Sequence, residues 1–230
     1  MLYVTGDTHA SFYPLYNRLD ALPRTGCQGC IILGDVGFNY HGGDEDRWNK
    51  QLMNSLGIPL FCIQGNHEQR PAPTGLYEQQ TRFGGQVWVE PAFPNLIFAR
   101  DGEIYDLDGR SALVIGGAYS VDKYYRLMHG YPWGADEQPD QATRQRVEAA
   151  LAARDWQVDL ILSHTCPARY IPQEALLPGL DQSRVDRSTE LWLDTIESRT
   201  RYGRWYCGHW HINKAVDRMQ FLFHDLIPLA

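Results

Sequence analysis

The chain has 230 residues, 43% of them hydrophobic and 12% aromatic, and a formal net charge of -7. That supplies a sizeable core for one compact domain over 1–230, and no low-complexity tract or fixed-period repeat points to disorder or a solenoid. The acidic balance disfavours a partner held mainly through phosphate electrostatics, such as duplex DNA; no apolar run approaches a membrane span, and five cysteines without framework spacing suit a reducing, cytoplasmic setting.

The first apolar run, 2–4, reads as a buried strand, and 14–22 follows with Leu15, Leu19 and Leu22 at helical spacing. A second strand at 31–33 precedes a helix predicted over 44–56, with Asp44 as N-cap and Trp48, Leu52 and Leu56 along one face. With a third strand at 60–63, the strand–helix alternation predicts largely parallel pairing in the first 65 residues. Strands at 87–89, 96–99 and 104–107 come next, and Asp108-Gly109 signals a hairpin into 112–115. Helices over 140–154 and 188–198 surround a strand at 160–162, and a strand at 205–207 precedes a closing hairpin or paired strands over 215–226. Cys27-Gln28-Gly29-Cys30 is a lone CxxC; no second pair completes a zinc site, and Cys30 reads as the start of a buried strand.

Five strand ends each deliver Asp, Asn or His. Asp7 and His9 follow the first, Asp35 the second, Asn66 and His67 the third, His164 the strand at 160–162, and His209 and His211 the strand at 205–207. Ligand sites in α/β sheets assemble at the carboxyl ends of strands, so the pattern implies one shared site. Asp7 and His9, two residues apart in extended chain, would point to the same side and grip one ion, and His209 and His211 repeat that spacing. Mixed imidazole, carboxylate and amide donors suit Mn, Fe or Zn better than Ca or Mg. Seven candidates exceed the needs of one ion and fit two ions bridged by Asp35. Glycines 6, 34, 65 and 208 would let the backbone turn tightly or approach the site closely.

Asp7-Thr8-His9, Gly34-Asp35, Gly65-Asn66-His67-Glu68, His164 and Gly208-His209-Trp210-His211 together resemble the signature of the calcineurin-like metallophosphoesterase superfamily. The resemblance spans residues 7 to 211 and is closest to small single-domain bacterial and phage-type members. It implies a four-layer α/β (α+β) fold in which two mixed β-sheets pack as a sandwich flanked by helices. It also implies that Asp7, His9, Asp35 and His211 hold one divalent metal, that Asp35, Asn66, His164 and His209 hold the other, and that His67 sits beside the scissile phosphate. Two ions about 3.5–4 Å apart would make a bridging hydroxide available for in-line attack on phosphorus. A protonated His67 would donate to the leaving oxygen or stabilise it electrostatically.

Protein phosphatases of that superfamily continue the Gly-Asp motif into an Asp-Arg pair, whereas this chain has Phe38 and Asn39 there. The missing cation tilts the expectation towards a phosphodiester or nucleotide-like small molecule, which carries less charge than a monoester dianion. A phosphomonoesterase or pyrophosphohydrolase is the alternative enzyme, and a non-catalytic scaffold the alternative outside that class. Asn39, His41, Lys123 and Arg126 are candidate substrate contacts: the first two lie beyond Asp35, and the cations follow the glycine-rich turn at 116–120. Phe38 and Tyr40 are further candidates for the entrance. Trp210, between two candidate ligands, must lie near the metals. No continuous basic groove marks a nuclease.

Overall fold

The computed structural model describes residues 1–23 and 26–230. In its first half, strands β1 (Leu2–Thr5), β2 (Gly29–Ile32) and β3 (Leu60–Cys62) alternate with helices α1 (Phe12–Asp20) and α2 (Gly43–Asn54). A short helix α3 (Pro71–Thr74) leads to β4 (Glu78–Arg82), β5 (Gly85–Val89), β6 (Leu96–Ala99), β7 (Ile104–Leu107) and β8 (Arg110–Ile115). The remainder runs through α4 (Lys123–His129), α5 (Gln141–Ala152), β9 (Leu160–Ser163), α6 (Ser188–Arg199), β10 (Arg204–Cys207), β11 (Lys214–Val216), β12 (Met219–Phe221) and β13 (Ile227–Pro228).

Two mixed sheets result, in the orders β13-β1-β2-β3-β6-β5-β4 and β11-β12-β10-β9-β8-β7. The predicted parallel pairing holds for β1 with β2 and β2 with β3, and the second sheet runs β8, β9, β10 and β12 in parallel. Strands buried on both faces read as continuous apolar runs, which is why 31–33 and 160–162 were legible. Between the sheets, Val4, Ile31, Phe61 and Val87 of the first meet Val114, Leu162 and Tyr206 of the second in one cluster. Helices α1 and α2 cover the outer face of the first sheet with Phe12, Leu15, Leu19 and Met53. On the far side, α5 and α6 cover the second with Val147, Leu151, Trp192, Leu193 and Ile196. The order is helix, sheet, sheet, helix. Among the described residues no helix is long and apolar enough to cross a membrane.

Several local expectations are corrected. Helix α2 begins at Gly43 after Gly42 and buries Asp46, Lys50 and Met53, while Trp48 is 51% exposed. The apolar spacing of Trp48 was outweighed by a buried ion cluster, in which Lys50 Nζ lies 2.8 Å from Asp46, 2.9 Å from Glu90 and 2.7 Å from the Asn39 amide oxygen. Phe38, expected at the site entrance, is fully buried and stacked on Phe12 at 4.7 Å. Strand β4 escaped sequence reading because Glu-Gln-Gln-Thr-Arg has no apolar period, as suits an edge strand. Cys27 and Cys30 both pack in the α1–α2 core, and burial, with a smaller push from Cys27, drives the Cys30 thiol far above its ordinary range.

Candidate metal centre

The carboxyl ends of the parallel strands β1, β2, β3, β9 and β10 carry the predicted ligands, and the pairing of those strands brings them together across the sandwich. Asp7 Oδ2 lies 3.7 Å from His9 Nε2 and 3.3 Å from His211 Nε2, and the two imidazole nitrogens are 2.9 Å apart. Asp35 Oδ1 lies 3.6 Å from His164 Nε2, which is 2.7 Å from Asn66 Oδ1. Asp7, His9 and His211 thus form one group able to hold a cation, and Asp7, Asp35 and His164 a second. His209 falls outside both groups. Its ring packs edge-on against His164 at 5.0 Å, and its backbone N–H donates to Asp7 Oδ1 at 2.9 Å.

The pairing of Asp7 with His9 is not made by extended chain as the spacing suggested. His9, Asp35, His209 and His211 have φ of 45°, 46°, 65° and 50°, in the left-handed region. The backbone N–H groups of Thr8 and His9 both donate to the Asp35 carbonyl, which curls the first motif onto the second. Such conformations cost of order 1 kcal/mol or more each and persist where the surroundings over-determine them. Close approach also explains two of the glycines. A Cβ at Gly34 would collide with the His164 ring, and one at Gly65 with Asp35 itself.

The donor set fits a cation. The His164 Nδ1–H donates to the Leu33 carbonyl at 2.8 Å, so Nε2 is the nitrogen that faces the centre. Asn66 Nδ2 donates to Ser120 Oγ at 2.9 Å, which turns its bare amide oxygen onto that same Nε2. An imidazole nitrogen and an amide oxygen this close are a fitting donor pair for one cation. Burial opposes ionisation of Asp35, but His164, His67 and His9 and the His67 backbone N–H hold its carboxyl at about 2. Burial, then His164, pushes His209 well below its ordinary range, keeping it a neutral imidazole. Glu68 accepts from the backbone N–H groups of Gly37 and Gly65, both at 3.0 Å, and so ties the second motif to the third. Its adjacency to His67 was the available signal for that role.

Arg126 contacts His67 Nδ1, its neighbouring nitrogen donates to the Tyr40 hydroxyl at 2.7 Å, and its Nε donates to Asp122 at 2.7 Å. A guanidinium has only N–H groups to offer, so Nδ1 accepts and a neutral His67 carries its proton on Nε2. Burial, together with Arg126, lowers the His67 pKa despite Asp35. This differs from the protonated ring expected from the sequence. Of the other substrate candidates, His41 lines a cleft of about 240 Å³ with His9, Asp35, Tyr40, His67 and Arg126. Asn39 is instead buried, accepting from Lys50 and from Tyr77 at 2.9 Å, and Lys123 lies 4.2 Å over the Trp133 ring. Neither lines a cleft at the centre, because each side chain is engaged elsewhere. A second cleft, of about 410 Å³, shares Asp35 and His67 with the first and has Trp210 in its wall.

A family model for calcineurin-like phosphoesterases matches residues 1–213, nearly the length of the chain. The chain belongs to the calcineurin-like phosphoesterase family. Membership implies phosphoester hydrolysis with divalent metal cofactors, in agreement with the Asp and His groups above. Solved structures are similar in fold. TT1561 of Thermus thermophilus matches with a TM-score of 0.51 at 13% identity, over 90% of this chain and 80% of that one. A second crystal structure matches with a TM-score of 0.52 at 12% identity, over 96% and 88%. A comparison with curated proteins found no match. As a calcineurin-like phosphoesterase the chain has the sandwich of two mixed sheets expected from its motifs, with the donor side chains at the strand ends.

Proposed function

We propose that the protein is a phosphodiesterase working at a dinuclear metal centre, with a small or nucleotide-like substrate. One observation carries the diester preference: Asp35 and His67 line two clefts at once. A diester has two arms to accommodate, and a monoester one. The engagement of the two cations after the glycine-rich turn agrees, since Arg126 is committed to His67, Tyr40 and Asp122, and Lys123 to Trp133. A phosphomonoester dianion would need more cationic clamping than this.

Asp7, His9 and His211 would hold one ion, and His164, Asn66 and His209 the other, with Asp35 between them. Bound divalent ions supply acidified water and charge neutralisation. Asp35, ionised at neutral pH, contributes fixed negative charge at the centre. His67 orients its Nε2–H for a hydrogen bond to the leaving oxygen, and Arg126 and Tyr40 keep the ring in that tautomer and orientation.

The test is hydrolysis of bis-p-nitrophenyl phosphate and p-nitrophenyl phosphate by Mn-loaded protein. Turnover of the diester above the monoester is expected, with loss of activity in Asp35→Asn. His67→Ala should lower kcat by about 100-fold or more with metal content unchanged. Monoester preference would overturn the diesterase reading, and loss of metal in His67→Ala would remove that residue from its assigned role.

A further inference from the structure

After β8 the chain runs through Gly116-Gly117-Ala118-Tyr119-Ser120, packed against the residues that follow β3. The Gly117 N–H donates to the Gln64 carbonyl at 2.8 Å, and the Ala118 N–H to the Glu137 carbonyl at 3.1 Å. Gly117 has φ of 87°, and a Cβ there would collide with that Glu137 carbonyl. The turn so fastened brings Ser120 between Asn66 and Glu137, and all three side chains are buried. Ser120 Oγ accepts from Asn66 Nδ2 at 2.9 Å, and the Ser120 hydroxyl also bonds the Glu137 carboxyl. Glu137 Oε2 accepts from the Ser120 backbone N–H at 3.2 Å and from the Trp133 indole N–H at 2.7 Å.

A hydroxyl has one hydrogen, and a carboxylate can only accept. With that hydrogen directed to Glu137, Ser120 shows Asn66 a lone pair, and the amide answers with its N–H. We infer that Ser120, its hydrogen held by Glu137, is a positioning residue that fixes the Asn66 amide so that oxygen, and not NH2, faces the metal centre. The inference rests on the reading of Asn66 as a metal ligand. The two ends of an amide are alike in size and opposite in character: the oxygen has lone pairs for a cation, and the NH2 group has only hydrogens. Ser120 touches neither ion nor substrate and acts through Asn66 alone. The excursion between Ala118 and Glu137 also carries Arg126 to His67, so one stretch of chain steadies both members of the Asn66-His67 pair.

The experiment reads Mn binding to metal-free protein by titration calorimetry, for wild type, Ser120→Ala, Asn66→Asp and the double variant. Wild type should bind two ions. Ser120→Ala should weaken one of them by about tenfold or more and leave the other within about twofold, the usual scale for a partner that orients a ligand. Asn66→Asp has an oxygen at either end of its carboxylate and no amide to orient. Adding Ser120→Ala to it should therefore change the affinity of either site by less than about twofold. Unchanged binding in Ser120→Ala overturns the inference. An equal loss at both sites, or the same loss in the Asn66→Asp background, overturns it too, since a general loosening of the turn would give either. Ser120→Cys, of similar size but a weaker acceptor, takes the place of Ser120→Ala if that variant does not fold. If wild type binds a single ion, the dinuclear reading fails and the comparison is made at that one site. There, a loss of about tenfold that vanishes in Asn66→Asp upholds the role of Ser120, and any other pattern rejects it.

Discussion

Arg126 is the side chain that holds Nδ1 of His67. It reaches His67 from 59 residues further along the chain and is itself braced by Tyr40 and Asp122. A ring held by one donor on Nδ1 presents one tautomer, so loss of that donor frees both its rotation and its proton placement. Arg126→Ala is expected to lower kcat by about 10- to 100-fold with little change in bound Mn, as read by steady-state kinetics beside metal analysis. A rise in KM at constant kcat would make Arg126 a substrate contact instead. Gly65 is constrained by contact alone: its φ is unremarkable, but a Cβ there would occupy the space of the Asp35 carboxylate and N–H. Gly65→Ala should cost about 1–3 kcal/mol in urea unfolding and reduce metal stoichiometry, since Asp35 must move. Full stoichiometry in that variant would show that the loop can give way.

Helix α2 shows how one element is decided by its tertiary partners. By hydrophobic spacing alone it should bury Trp48, Leu52 and Leu56; Leu56 is buried and Leu52 packs on the same core, but Trp48 stays exposed while Lys50 is buried between Asp46, Glu90 and Asn39. The Asp46 carboxylate also accepts from the Asn39 backbone N–H at 2.7 Å, so the cluster pins the chain just after the Asp35 motif. Removing one member of a buried ion cluster leaves the others unpaired. Lys50→Ala should therefore destabilise the protein by about 3–5 kcal/mol, measured as a fall in the urea midpoint. A loss below about 1 kcal/mol would mean that Asp46 and Glu90 find water or other donors when Lys50 is gone. Helix α4 is the opposite case, with no buried residue and Tyr124, Tyr125, Leu127 and Met128 all exposed, yet it carries Arg126. Its apolar residues stay exposed, so Arg126 owes its place to tertiary contacts and not to a buried helix face.

At the scale of the whole molecule, the centre joins two sheets that otherwise meet through apolar packing. Asp7 and Asp35 come from the first sheet and His164, His209 and His211 from the second, so a cation bound among them fastens both. A ligand that binds only the folded state stabilises it by mass action, by about 2.7 kcal/mol at a hundred times its Kd. Removing metal with a chelator should lower the melting temperature, and added Mn should restore it in proportion to the logarithm of its concentration. A melting temperature indifferent to chelator and Mn would show that the sheets stay together without help from the centre.

The sequence by itself determined the strand ends and the donors beyond them. Each motif sits within a few residues of an apolar run, and both the run and its polar terminus are local properties of the chain. The same locality made α5 legible, and the structure shows Asp140 at its start accepting from the Thr143 N–H. The tertiary structure alone decided what surrounds those donors. It turned His9, Asp35, His209 and His211 into left-handed conformations, placed Asn39 in the α2 ion cluster, and set Arg126 against His67. These are contacts between residues distant in sequence, fixed by how two sheets and their helices pack, and no spacing along the chain encodes them.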